Sequence, residues 1–240
     1  MVTNYGTIIL ELYNETPLHR DNFVKLVNEK AYDNLLFHRV IQGFMIQGGD
    51  PDSRNAKPNV MLGEGDLGYT VSAEFHPDLY HHKGALATAR DDNQARASSA
   101  IQFFIVQGKV YNDSLLDKAE QRINSMLARH YVLNDAAYAD LSYKLQKAST
   151  DENGETYGRY SDRIDSIAKT YDNFETYVIP QSHRDVYKTL GGTPQLDQNY
   201  TVFGQVVKGI EVVDAIAAAK TNDNDRPITD VKILSVRVLK

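Results

Sequence analysis

No cysteine occurs anywhere in the chain, which excludes disulfides, thiolate nucleophiles and cysteine metal sites together and leaves no redox clue to compartment. Long apolar runs are missing too: nothing approaches the ~20 residues that a membrane-spanning helix needs. Basic residues are outnumbered, 26 Lys and Arg against 32 Asp and Glu, for a net charge of −6. There is thus no basic footprint for a phosphate backbone, and nucleic acid is not an expected partner. Met1 to Gly6 run straight into a strand-like segment without an apolar leader. The expectation is a soluble protein, with the cytoplasm and the mature part of an exported chain both open.

Several catalytic signatures are also lacking. No serine sits in a glycine elbow or in a legible His/Asp arrangement, which argues against a hydrolase. Gly63-Glu64-Gly65-Asp66-Leu67-Gly68 lacks the lysine and strand-helix setting of a phosphate loop and reads as a plain loop. The adjacent His81 and His82 would point to opposite faces of a strand and have no cysteine or spaced carboxylates around them. No metal and no cofactor are expected.

What is present is an ordinary globular composition, 42% hydrophobic and 24% charged over 240 residues, enough for one generous domain or a domain with an insertion. Thr7 to Tyr13 alternates as a strand. Thr16 then reads as an N-cap with Pro17 at the first helical position, and Phe23, Leu26 and Val27 fall on one face of a helix over residues 17–29. Short strands between glycine-rich turns dominate as far as Val106, favouring a barrel or sandwich. Gly209 to Lys220 reads as a second helix and Ile228 to Leu239 as a closing strand.

The most informative run is Phe37-His38-Arg39-Val40-Ile41-Gln42-Gly43-Phe44-Met45-Ile46-Gln47-Gly48-Gly49-Asp50. It brings one guanidinium, large apolar side chains and carboxamides into about a dozen residues, and Met45 and Gln47, two apart, share one side of an extended segment. A cation and an amide beside an apolar hollow suit a ligand that is apolar but carries a carbonyl. The run resembles, almost letter for letter, the signature of the cyclophilin-type peptidyl-prolyl isomerases. Two further segments match in order. One is Lys83 to Arg90 followed by Ser98 to Val106; the other is Gly191 to Asp197 followed by Tyr200 to Val206.

The resemblance covers about residues 2–112 and 189–240 and implies a mainly β fold, a closed antiparallel eight-stranded barrel capped by two helices. It implies rotation about Xaa-Pro bonds, with Arg39, Gln47 and Phe44 as catalytic residues. Met45, Ala89, Arg90, Asp91, Gln102, Phe104, Leu196 and Tyr200 are the implied substrate-binding set. Phe44, Met45, Phe104 and Leu196 would form the proline pocket, and Ala89 to Asp91 would pair with the peptide as an added strand. The implied partners are proline-containing peptides and unfolded or folding proteins. Gln195 stands where many eukaryotic members have tryptophan, and Tyr200 where they have histidine, so weak cyclosporin binding is expected. His38 reads as structural, since the reaction moves no proton.

From Tyr111 to Lys188 the texture turns helical, with three successive stretches at helical spacing and a turn at Asp151 to Gly154. Ser182 with Asp185 three residues on reads as the cap of a last short helix ending at Gly191-Gly192. Residues 113–188 are therefore expected to be a helical insertion, about which the resemblance is silent; they hold eight of the fifteen tyrosines. Both flanks belong to the expected site, so an insertion that overhangs the groove and narrows access is a natural hypothesis. The alternative function is a non-catalytic proline-peptide binding or chaperone module with the insertion as partner-docking element. A barrel carrier for a small apolar ligand is disfavoured by a core dense in Phe and Met.

Overall fold

A computed structural model describes residues 1–58 and 60–239. The alternating start of the chain folds as β1 (Val2–Thr3), β2 (Gly6–Thr7) and β3 (Ile9–Leu12), and the Pro17 signal opens α1 (Pro17–Asn28). The signature run forms a hairpin of β4 (Phe37–Ile41) and β5 (Met45–Gly48). Its turn passes through Gly43 at φ +76°, a left-handed conformation that glycine adopts without cost. Next come β6 (Thr70–Val71), β7 (Ala85–Thr88), β8 (Ser98–Ser99) and β9 (Phe103–Val106). Residues 113–189 supply α2 (Asp113–Asn134), α3 (Ala139–Thr150), α4 (Gly154–Ala168) and α5 (Gln181–Thr189). The chain closes with β10 (Val202–Lys208), α6 (Ile210–Ala217) and β11 (Ile233–Ser235).

The strands pair antiparallel as a six-stranded sheet ordered β3-β10-β7-β9-β5-β4, a three-stranded sheet β11-β1-β2 and a pair β6-β8. No ladder among the described residues joins β3 to β4. Further hydrogen bonds run between the sheets: Phe37 N to Val231 O and Ile233 N to Leu35 O on one side, Ile8 N to Met1 O on the other.

Because side chains alternate across a strand, the central sheet carries two apolar faces. Ile46, Leu86, Phe103, Ile105 and Phe203 meet Phe23, Leu26 and Val27 of α1 and Val213 and Ile216 of α6 in the main core. Phe103 is its hub, edge-on to Phe23, Tyr32 and Phe37 with centroids 5.6–6.0 Å apart. Met45, Ala85, Ala87, Phe104, Val106 and Val202 form the opposite face.

Several local expectations are corrected. Thr16 holds the N-cap position of α1, but its hydroxyl caps nothing. The Glu74 carboxylate accepts from Leu18 N and His19 N instead, at 3.1 and 3.0 Å, and so satisfies the first-turn donors with a negative charge. The closing strand shortens to three residues, because its partner β1 is ended by the turn at Asn4-Tyr5. The helix after Gly209 is confined to Ile210–Ala217. Pro180, not Ser182, precedes the last insertion helix, and its carbonyl accepts from His183 N and Arg184 N.

The helical segment has two apolar centres. Leu116, Ile123, Leu127, Ile179 and Tyr187 pack with Tyr80 and Tyr111 beside the sheets. Val132, Leu145 and Ile164 make a separate cluster around which Tyr138, Tyr157, Tyr160 and Tyr171 are partly buried. Most of the clustered tyrosines are thus packing residues.

Candidate active site

Sheet register builds the site. Arg39 pairs with Gln47, Gln47 with Phe104, Phe104 with Ala87 and Ala87 with Val202, one row across β4, β5, β9, β7 and β10. Arg39, Phe44, Met45, Gln47, Ala89, Arg90, Phe104, Leu196 and Tyr200 together line a cavity of about 140 Å³. That volume suits one small ring and falls well below the ~300 Å³ of a drug-sized ligand site. The floor is apolar: Met45 and Phe104 are buried, and Tyr200 stands edge-on to Phe104 with centroids 6.0 Å apart.

The polar groups sit at the rim. The Arg39 side chain is 44% exposed, and its Nε lies 3.5 Å from Asp225 Oδ2. Gln47 Nε2 donates to Gln102 Oε1 at 3.0 Å. Gln102 is buried behind it and donates to the carbonyls of Gly63 and Gly65 at 2.7 and 2.8 Å. Gln102 therefore lies beside the cavity, not on its wall. Arg90 folds back, with Nε donating to Asn199 O at 2.9 Å and its guanidinium 5.0 Å from the Tyr200 ring centroid. Asp91 lies outside the cavity lining with its side chain exposed; its carbonyl accepts from Arg90 and Asn93.

The histidines take supporting positions. His38 is buried, and burial lowers its pKa to about 4, so the ring is neutral at neutral pH. His81 Nδ1 donates to Asp197 Oδ1 at 2.8 Å in a sealed pair, while His82 Nδ1 turns to Lys83 O. His183 stacks on Tyr80 at 3.7 Å. Among the described residues no group of three His, Cys, Asp or Glu is placed to hold a metal ion, and no helix is long and apolar enough to cross a membrane.

Residues around the site that sequence reasoning missed are Glu74, Tyr111, Tyr187, Asp197 and Asp225. Asp197 adjoins Leu196 and could have been suspected from that position. Asp225 approaches Arg39, Tyr111 bonds Gln195 and Glu74 bonds Thr201 beside Tyr200 from far along the chain, while Tyr187 reaches Asp197 across ten residues; none left a local signal.

Comparison with known proteins places these features. The family model described as "Cyclophilin type peptidyl-prolyl cis-trans isomerase/CLD" matches residues 1–132 and 182–238. Proteins of Staphylococcus aureus (strain COL) and Staphylococcus haemolyticus, provisionally named peptidyl-prolyl cis-trans isomerases, are each 30% identical to this chain over 239 and 240 residues, covering 99% of it and 89% of each relative. In fold the chain is similar to a cyclophilin type peptidyl-prolyl cis-trans isomerase of Cryptosporidium parvum solved in the presence of the dipeptide Ala-Pro. That match has a TM-score of 0.54 and 19% identity and covers 98% of this chain and 94% of the other. The fold is that of the cyclophilins, and the chain belongs to the cyclophilin type peptidyl-prolyl cis-trans isomerases.

Proposed function

We propose that this enzyme accelerates Xaa-Pro rotation by aiming the Arg39 guanidinium at the nitrogen of a twisted prolyl amide. Conjugation sets the barrier at ~18–20 kcal/mol. At the twist the nitrogen becomes pyramidal and regains a lone pair, so a cation there favours the transition state over both planar isomers. Removing ~7 kcal/mol already gives a gain of about 10⁵. The observation that carries this reading is that Arg39 lines the same cavity as Phe44, Met45, Phe104 and Leu196. Its guanidinium is half-exposed and makes no hydrogen bond among the described residues, only the 3.5 Å approach to Asp225.

Phe44, Met45, Phe104 and Leu196 would hold the proline ring, and Gln47, steadied by Gln102, would hold the substrate carbonyl beside Arg39. Ala89 to Asp91 would pair with the peptide main chain. Proline-containing segments of unfolded or folding proteins are the proposed partners. Gln195 in place of the tryptophan common in the family supports weak cyclosporin binding.

We also read the six- and three-stranded sheets as one closed eight-stranded barrel, with β2 and β3 counted as a single interrupted strand. The bonds from β4 to the β11 region and from Met1 to Ile8 support this. Residues 1–112 and 189–240 would then be one discontinuous domain with 113–188 inserted; the family match passes over 133–181, the middle of that segment, and includes 113–132 and 182–188.

The test is cis-to-trans exchange of an Ala-Ala-Pro-Phe peptide by the native protein and by Arg39→Ala. A fall of kcat by roughly 10²-fold or more, with the peptide still bound, is expected. An unchanged kcat would sink the Arg39 mechanism.

A further inference from the structure

No residue of 113–188 lines the proline cavity. The insertion and the segment that leads into it reach instead to the two residues flanking Leu196. Tyr111, two residues before α2, donates its hydroxyl to Gln195 Oε1 at 2.9 Å. Tyr187, on α5 and fully buried, donates its hydroxyl to Asp197 Oδ2 at 2.7 Å. The other oxygen of Asp197 accepts from His81 N and His81 Nδ1 at 2.9 and 2.8 Å, so this buried carboxylate is held from both sides.

The two tyrosines are themselves joined where the insertion leaves and returns. Tyr111 N donates to Tyr187 O at 3.0 Å, and Lys109 and Gly192 exchange backbone bonds of 3.2 and 3.0 Å. A Cβ on Gly192 would lie 2.3 Å from His81 O and 2.6 Å from Tyr187 Cε1, so this neck has no room for a side chain. The two anchored residues are the middle and the C-cap of the single helical turn Pro194–Leu196, with Leu196 between them. So short a turn has little stability of its own, and its side-chain anchors decide where Leu196 stands.

We infer that Tyr111, at the neck of the insertion, and Tyr187, within it, are positioning residues that set the Leu196 to Tyr200 rim and so tune affinity for the proline ring without touching substrate. This rests on the proline pocket proposed above. Leu196 would meet the ring alike in both planar isomers and in the twisted amide, so displacing it weakens ground and transition states together. The signature is a raised KM at constant kcat, the reverse of losing Arg39. General destabilisation would instead lower the active fraction, reducing apparent kcat at unchanged KM.

The experiment uses the full chain carrying Tyr111→Phe, Tyr187→Phe or both. Ala-Ala-Pro-Phe exchange is measured against substrate concentration, with Arg39→Ala and the exposed-site control Tyr143→Phe alongside. Phenylalanine keeps each ring and its packing and removes only the hydroxyl bond. The double variant should raise KM about three- to tenfold, the span of one or two modest hydrogen bonds, with kcat within about twofold and Tyr143→Phe at native values. A native KM in a folded double variant overturns the brace, whatever Arg39→Ala does. If the double variant does not fold, Tyr111→Phe alone decides in the same way. A collapse of kcat in Arg39→Ala with native KM in the tyrosine variants leaves the site reading standing and the brace refuted. Native kcat in Arg39→Ala refutes the site reading itself.

Discussion

Gln47 and Gln102 are joined carboxamide to carboxamide at 3.0 Å, and Gln102 spends its remaining donors on the carbonyls of Gly63 and Gly65. The exposed rim of the site is thereby fastened through one buried side chain to a loop 37–39 residues away in sequence. This gives Gln102 a different emphasis from that of a peptide-binding group: its amide is already committed within the protein.

Gln102→Leu should therefore act through its neighbours. Leucine of similar size leaves the buried carbonyl of Gly65 and the half-buried carbonyl of Gly63 unpaired and frees Gln47, at a cost of about 2 kcal/mol in stability. A fall in kcat/KM should accompany it, because the rim beside Arg39 loosens. Denaturant midpoints and peptide exchange on the same samples check both parts; a variant of native stability would show that water replaces the amide at no cost.

The depressed pKa of His38 gives stability a pH dependence whose sign follows from proton counting. In the folded state burial holds the ring at about 4, against the ordinary imidazole value near 6.5 in the unfolded chain. As pH falls from 6.5 towards 4 the unfolded chain takes up a proton there that the folded protein refuses, so stability is lost over that window, by up to about 3 kcal/mol. Unfolding free energies between pH 7 and 5, where few carboxylates titrate, should show a shallower slope in His38→Gln than in the native protein. Equal slopes would remove His38 as the cause.

Glu74 should be worth more to α1 than Thr16. Its carboxylate caps Leu18 N and His19 N and accepts from His19 Nδ1 at 2.7 Å. Glu74→Ala should destabilise by roughly 1–2 kcal/mol, and Thr16→Val, whose hydroxyl has no partner, by clearly less. Thermal or chemical unfolding of the two variants settles the order, and a larger loss at Thr16 would contradict the assignment.

How far the site could be read in advance depended on how local each part is. The shared side of Met45 and Gln47, the helical nature of residues 113–188 and the turn at Asp151 to Gly154 all follow from spacing within a few residues, where backbone geometry alone decides which side chains share a face. Nine of the eleven expected site residues line one cavity; Gln102 and Asp91 stand outside its wall. The cap on α1, the approach of Asp225 to Arg39 and the tyrosine anchors on residues 195 and 197 were not legible. Strand ends were also misjudged, because a ladder stops where its partner turns.

The sequence by itself determined the family, through the order of its motifs, and the helical character of residues 113–188, through residue periodicity, because both are local properties of the chain. Tertiary structure alone decided that Glu74 caps a helix 55 residues away and that Tyr111 holds Gln195 across 84. Such partners are chosen by which elements pack together, and packing brings distant side chains within bonding distance only once the whole sheet has formed.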